Sequence, residues 1–160
     1  MDIGSGSGYP SSSLSNFAPH GFTIDGVECA SMEGFLQSLK FSNPEMQKEV
    51  CTLIGRQAKF KGKKKRWYRD QTLYWKGKAI KRDSEDYQTL LDIAFKQLGK
   101  NEKFKKALLA TGSATLKHSM GKRKINETVL TTQEFCSRLT NIRRDLNNEK
   151  LLLLKMQLAK

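Results

Sequence analysis

The sequence predicts a single α+β domain, mainly helical and with a few short strands. Its 160 residues suit one hydrophobic core and leave too little chain for a second. Apolar residues at 38% and charged residues at 28% are ordinary for a globular protein, without the low hydrophobicity of a disordered one. Helical periodicity accounts for most of the apolar positions, and strict alternation is confined to short stretches.

Residues 1–13 combine Gly4-Ser5-Gly6-Ser7-Gly8 with Tyr9-Pro10. That composition suits a flexible start, the favoured reading, or an anion-cradling loop. It is not a P-loop, because no Gly-Lys-Ser/Thr follows. From Phe22 to Glu28 apolar and polar residues alternate around Asp25-Gly26, giving two short strands and a tight turn. Ser31 caps a helix whose Met32, Phe35, Leu36 and Leu39 form a buried stripe. The neighbouring face carries Glu33, Gln37 and Lys40 as a polar row. Asn43-Pro44 opens a second helix with Met46, Val50, Leu53 and Ile54 as its stripe and Gly55 as its stop.

Lys76-Gly77-Lys78 lies between Leu73-Tyr74-Trp75 and Ala79-Ile80, and fits either a hairpin or a helix followed by a loop. Asp83 or Ser84 caps a helix through Tyr87, Leu90, Leu91, Ala94, Phe95 and Leu98, ending at Gly99. Asn101 caps the next, through Phe104 and Leu108. A loop with Leu116, His118 and Gly121 precedes Thr131 and Glu134, a capping box for a long helix with the stripe Phe135, Leu139, Ile142 and Leu146. The tail, 147–160, holds four consecutive leucines, Leu151 to Leu154, too few to span a bilayer and expected to pack on the body or on a partner.

The formal charge of +13 implies a polyanionic partner, nucleic acid or a phosphorylated small ligand. Residues 59–69 hold seven of the 29 Lys and Arg residues, interleaved with Phe60, Trp67 and Tyr68. Lys63, Lys64, Lys65 and Arg66 are the candidates for contacts to phosphate or nucleic acid. Cys29, Cys51 and Cys136 are widely spaced, without a CxxC pair, and read as reduced structural thiols. Together with two distant histidines they make no ligand cluster, so neither metal nor cofactor is expected. No apolar run is long enough to cross a membrane and no export signal is evident, which leads to the expectation of a cytoplasmic protein.

Ser15-Asn16-Phe17-Ala18-Pro19, the Asp25-Gly26 turn and the helix from Ser31 to Phe41, with its E-x-x-x-Q-x-x-K-F order, together resemble the NADAR/YbiA-like family. The resemblance continues through Ile54-Gly55-Arg56, Arg66-Trp67, Leu108-Leu109-Ala110-Thr111-Gly112 with Leu116, Arg138-Leu139 and Ile142-Arg143-Arg144-Asp145-Leu146. It delimits a domain over 14–146, between a flexible start and a helical tail. The resemblance implies a YbiA-like fold and hydrolysis of an N-glycosidic bond, either removing ADP-ribose from guanine or cleaving ribosylated pyrimidine intermediates of riboflavin synthesis.

Such cleavage leaves positive charge on the ribose and negative charge on the departing nitrogen, which a nearby carboxyl group assists by proton transfer or by its field. Glu33 is the candidate, and its first-turn position argues for a lowered pKa and a role as base. Lys40, two turns on, can bind phosphate or tune Glu33, and Gln37 can orient ribose hydroxyls. Asn16 and Phe17 are substrate-binding candidates through the same resemblance. Trp67 offers a face to a nucleobase, with phosphate held by Arg66 or Arg56. The sequence departs from the family after Ala110-Thr111, where the Trp-Gly of many relatives is absent and Glu127 is the candidate second carboxylate. A different class of function also fits the basic run: a nucleic-acid-binding module without catalysis.

Overall fold

The computed structural model describes residues 1–160, in the order α1 (Ser11–Leu14), β1 (Phe22–Ile24), β2 (Val27–Cys29), α2 (Met32–Ser38), α3 (Pro44–Cys51), α4 (Gly55–Lys63), β3 (Thr72–Trp75), β4 (Lys78–Lys81), α5 (Glu85–Leu98), α6 (Glu102–Ala110) and α7 (Thr132–Leu158). Two single 3-10 turns, Trp67–Arg69 and Ile125–Glu127, complete it. The architecture is α+β and mainly helical, as the sequence predicts. The two sheets are separate antiparallel hairpins, β1–β2 and β3–β4.

Each hairpin closes on two residues with positive φ: Asp25 (49°) and Gly26 (78°) in the first, Lys76 (51°) and Gly77 (84°) in the second. Positive φ at both central positions matches the twist of the flanking strands. The Lys76-Gly77 stretch is therefore a hairpin, with Trp75 opposite Lys78 and Leu73 opposite Ile80. Trp75 Nε1 donates to Asp25 Oδ2 at 2.7 Å, tying one hairpin to the turn of the other. The Trp75 ring meets Phe35 edge-on at 5.2 Å, on the buried stripe of α2.

Helix α2 is central. Ser31 Oγ accepts from the Gly34 amide at 3.0 Å, capping it, and donates to the Leu53 carbonyl at 3.1 Å. A Cβ on Gly34 would stand 2.5 Å from that carbonyl oxygen, so α2 meets the end of α3 backbone to backbone and only glycine fits. Buried Gln47 replaces part of the expected α3 stripe. Its Nε2 donates to the carbonyls of Ser38 and Tyr74, and its Oε1 accepts from the Lys76 amide. Exposed Ile54 lies outside the core. Gly55 does not stop α3, which ends at Cys51; with φ of 52° it begins α4, where the chain turns sharply between two helices.

The start of the chain is held against the body, and the tail is helical but does not pack on the body. Residues 1–3 dock as an extended segment beside 115–119: Ile3 N donates to the Lys117 carbonyl at 2.8 Å, and Lys117 N to that of Met1 at 2.9 Å. Asp2 accepts from both the Ser119 amide and its hydroxyl, and His118 Nδ1 bonds to the Ile3 carbonyl at 2.7 Å. Ile3 is buried, and this one apolar side chain with its backbone partners anchors the Gly/Ser-rich stretch that composition alone marks as flexible. At the other end, Leu151 to Leu154 are 52–60% exposed. Between Thr132 and Leu158 no Gly or Pro interrupts the 27-residue helix, so α7 runs straight on past the body for about 40 Å in all and does not fold back to bury them.

Candidate active site

The polar row on α2 opens into a cleft of about 410 Å³. Glu33, Gln37 and Lys40 form its floor, and Asn16, Phe17 and Trp67 line it as well. Glu127 also lines it, from the 3-10 turn that the Gln71 side chain fixes by donating to the Asn126 carbonyl at 3.0 Å. The segment before β1 is joined to the helix start, because Glu33 N donates to the Asn16 carbonyl at 3.0 Å. This bond sets Asn16 and Phe17 beside the carboxyl group.

Within the row, Gln37 Nε2 donates to Glu33 Oε1 at 2.9 Å. Burial raises the Glu33 pKa, and this hydrogen bond and the fields of Lys40 and Lys59 only partly offset the rise. The expected lowering by the helix N-terminus is reversed. A first-turn dipole contributes roughly 0.3–1 kcal/mol, less than the desolvation of a carboxylate in a largely closed site. Glu33 thus keeps its proton to higher pH than an ordinary glutamate, which suits a proton donor and not the base inferred from its position. Burial likewise lowers the Lys40 pKa, with Lys122 and Lys59 acting in the same direction and Glu33 opposing.

Gln37 is held by its neighbour on α4. A Cβ built on Gly62 would lie 1.9 Å from Gln37 Oε1, so the amide fills the space a side chain there would take. Gly62→Ala is expected to push Gln37 off Glu33 and to lower turnover about tenfold or more, while the fold persists by shifting a flexible side chain. Turnover measured beside a circular-dichroism melt checks this, and unchanged turnover would show that the Gln37–Glu33 bond is dispensable. Two buried acceptors, Asn16 Oδ1 and Gln37 Oε1, have no hydrogen-bond partner within the protein.

Not every expected residue converges here. Arg56 is exposed on the first turn of α4 and does not line the cleft; Lys59, one turn later, does. Lys63, Lys64 and Lys65 line a different depression with Phe41 and Phe60, and Arg66 lines neither. Trp67 is largely buried in the core and also lines the cleft. Sequence reasoning did not single out Lys122, Gly4 or Ser5 as cleft residues, and His118, which it left open between a structural and a catalytic place, lines the cleft with them. The anion-cradling alternative for residues 1–13 was the available signal for Gly4 and Ser5. No three His, Cys, Asp or Glu side chains come together as a metal-ligand set.

The far wall, Thr128 to Leu130, is braced from behind. Arg82 donates from Nε to the Thr128 carbonyl at 2.8 Å and from its two terminal nitrogens to Glu134 at 3.1 and 2.6 Å. Arg143 bonds to Thr111 Oγ1 at 2.7 Å and to the Ala114 carbonyl at 2.9 Å, which holds the turn leading to His118.

The profile of the family described as "Bacteriophage protein GP30.3" matches residues 8–144. The chain is 35% identical over 150 residues to an "uncharacterized 17.1 kDa protein in Gp30-rIII intergenic region" of Enterobacteria phage T4, covering 91% of this chain and 98% of that one. Its fold is similar to the NMR structure of the E. coli protein YbiA, with a TM-score of 0.59 at 20% identity, over 94% of this chain and 86% of that one. With a family match over most of its length and the fold of YbiA, the chain belongs to the bacteriophage GP30.3 family, a NADAR-type family with the YbiA-like architecture expected from residues 14–146.

Proposed function

We propose that the protein is an N-glycosidase that cleaves the bond between the ribose of an ADP-ribosyl group and a nucleobase, guanine being the favoured leaving base. The observation that carries this reading is the convergence of Glu33, Gln37 and Lys40 in one cleft with Asn16, Phe17, Trp67 and Glu127. A protonated, half-buried Glu33 donates to the departing base nitrogen as the C–N bond breaks, so the base leaves neutral. Water then adds to the ribose cation, losing its proton to the Glu33 carboxylate or to Glu127. Asn16 lines the cleft, and its amide suits a ribose hydroxyl. Lys40, Lys59 and Lys122 supply positive charge for the diphosphate, and Trp67 and Phe17 supply apolar surface for a base.

The test is release of free ADP-ribose from ADP-ribosyl-guanosine, with a phosphoribosyl-aminopyrimidine as the second substrate. Release from the first supports the proposal. Cleavage of the aminopyrimidine alone would move the activity to the riboflavin-type intermediate. If neither substrate is cleaved, the glycosidase reading fails and binding without catalysis takes its place.

A further inference from the structure

The basic run divides between two sites, and the second is separate from the cleft. Lys59 enters the cleft, whereas Phe60, Lys61, Lys63, Lys64 and Lys65, with Phe41 from the link between α2 and α3, line a shallow groove of about 730 Å³. The two depressions adjoin, because Lys40 and Lys59 face one and their chain neighbours Phe41 and Phe60 face the other. No acidic residue lines the groove. None of its four lysines is within ion-pair distance of a carboxylate. Phe60 is 61% exposed on a helix that has a buried face available. Lys63 Nζ lies 5.9 Å from the Phe60 ring centroid and Lys65 Nζ 4.9 Å from that of Phe41.

We infer that this groove binds single-stranded nucleic acid and leads a modified base of that strand into the cleft. Unpaired lysines beside an exposed aromatic ring, Phe60, are what a single strand requires, since phosphates need cations at short intervals and unstacked bases need flat apolar faces. A duplex keeps its base faces stacked on one another and would leave Phe60 nothing to stack on. An acidic peptide would satisfy the lysines but gives no reason for the exposed ring. The link to the cleft rests on the glycosidase reading, whereas binding in the groove does not, and the two are read separately.

The experiment is fluorescence anisotropy with an unmodified, labelled 20-nucleotide single strand and the full chain, across a salt series. Three proteins are compared with the wild type: Lys63→Ala/Lys64→Ala/Lys65→Ala, Phe60→Ala, and a charge-matched control, Lys100→Ala/Lys103→Ala/Lys106→Ala, at exposed positions on the α5–α6 side. The groove triple variant should weaken binding at least tenfold and lower the slope of log K against log salt by about 2, at about 0.7 per phosphate contact on a single strand. Phe60→Ala should weaken it about fivefold or more with an unchanged melting temperature, and the control should stay within twofold of wild type. Equal loss in the control would show non-specific attraction by the net charge and overturn the inference. So would equal affinity for duplex, or equal competition by poly-glutamate. Oligonucleotide binding without any hydrolysis would remove the glycosidase and keep the groove; hydrolysis of the nucleoside substrate without oligonucleotide binding would do the reverse.

Discussion

Glu33→Gln is expected to lower kcat for release of ADP-ribose by about 10² to 10⁴-fold, the range for loss of a positioned general acid. Binding of ADP-ribose itself should change by no more than a few-fold. The reason is local: glutamine keeps an oxygen for the 2.9 Å bond from Gln37 Nε2, so the row on α2 retains its shape and only the transferable proton is gone. Stability gives an independent check of the sign. Burial raises the Glu33 pKa in the folded protein, so ionisation opposes folding above the pKa of the unfolded chain. A neutral glutamine removes that cost, and the melting temperature at pH 7 should be equal to or above that of wild type. In the wild type kcat should fall as pH rises through the raised Glu33 value, and this alkaline limb should be missing from the residual activity of Glu33→Gln. A mutant that retains a tenth or more of wild-type kcat would show that the proton comes from elsewhere, with Glu127 as the group to test next.

The parts of this site that were legible in the sequence share a cause. Glu33 and Gln37 lie on one short helix and Lys40 on the turn that closes it, where spacing alone fixes which side chains share a face, and Ser31 marks the start of that helix unambiguously. The capping residues Asn43, Ser84, Asn101 and Thr131 were readable for the same reason, since a cap is a local hydrogen bond between a side chain and amides two or three residues on. What could not be read depends on contacts distant in sequence. The N-terminal segment is ordered by residues more than a hundred positions away, through Met1 N to the Thr115 carbonyl and His118 to the Ile3 carbonyl. The division of the basic run is a matter of where α4 lies against α2, which Gly62 permits by leaving room for Gln37. The direction of the Glu33 shift was misread because the helix dipole is a local property, whereas burial is set by the whole fold. The Lys-Gly turn was ambiguous because its first residue lacks the preference for positive φ of Asn or Asp, and the pairing of Leu73 with Ile80 decided it.

The largest effect on stability is expected away from the chemistry, at Arg82. Its side chain is fully buried, stacks 4.7 Å from the Tyr87 ring centroid, pairs with Glu134 through both terminal nitrogens and holds the Thr128 carbonyl through Nε. Burial pushes the Glu134 carboxyl up, but the bonds from Arg82, Gln88 and the Thr131 amide together outweigh it and leave the carboxyl below its ordinary value. Arg82→Met keeps most of the volume and removes the charge, stranding a largely buried carboxylate and freeing a carbonyl that bounds the cleft. Breaking a buried pair from one side costs about 3–5 kcal/mol. At about 2–4 °C per kcal/mol for a chain of this size, the melting temperature at pH 7 should fall by about 6–20 °C. KM should rise as well, because Thr128 to Leu130 lose their brace. The pH dependence carries the diagnosis. In the wild type Glu134 contributes stability above its unfolded pKa, which is lost as pH falls through the lower folded value. In Arg82→Met the unpaired carboxylate instead becomes easier to bury once protonated, so the gap between the two proteins should narrow from pH 7 to pH 4. The double variant Arg82→Met/Glu134→Gln, which keeps an acceptor for the Thr131 amide, should recover about half of the loss at pH 7. A gap that stays constant with pH, with no recovery in the double variant, would mean that Arg82 acts through its packing on Tyr87 and its bond to Thr128, and that the ion pair adds little.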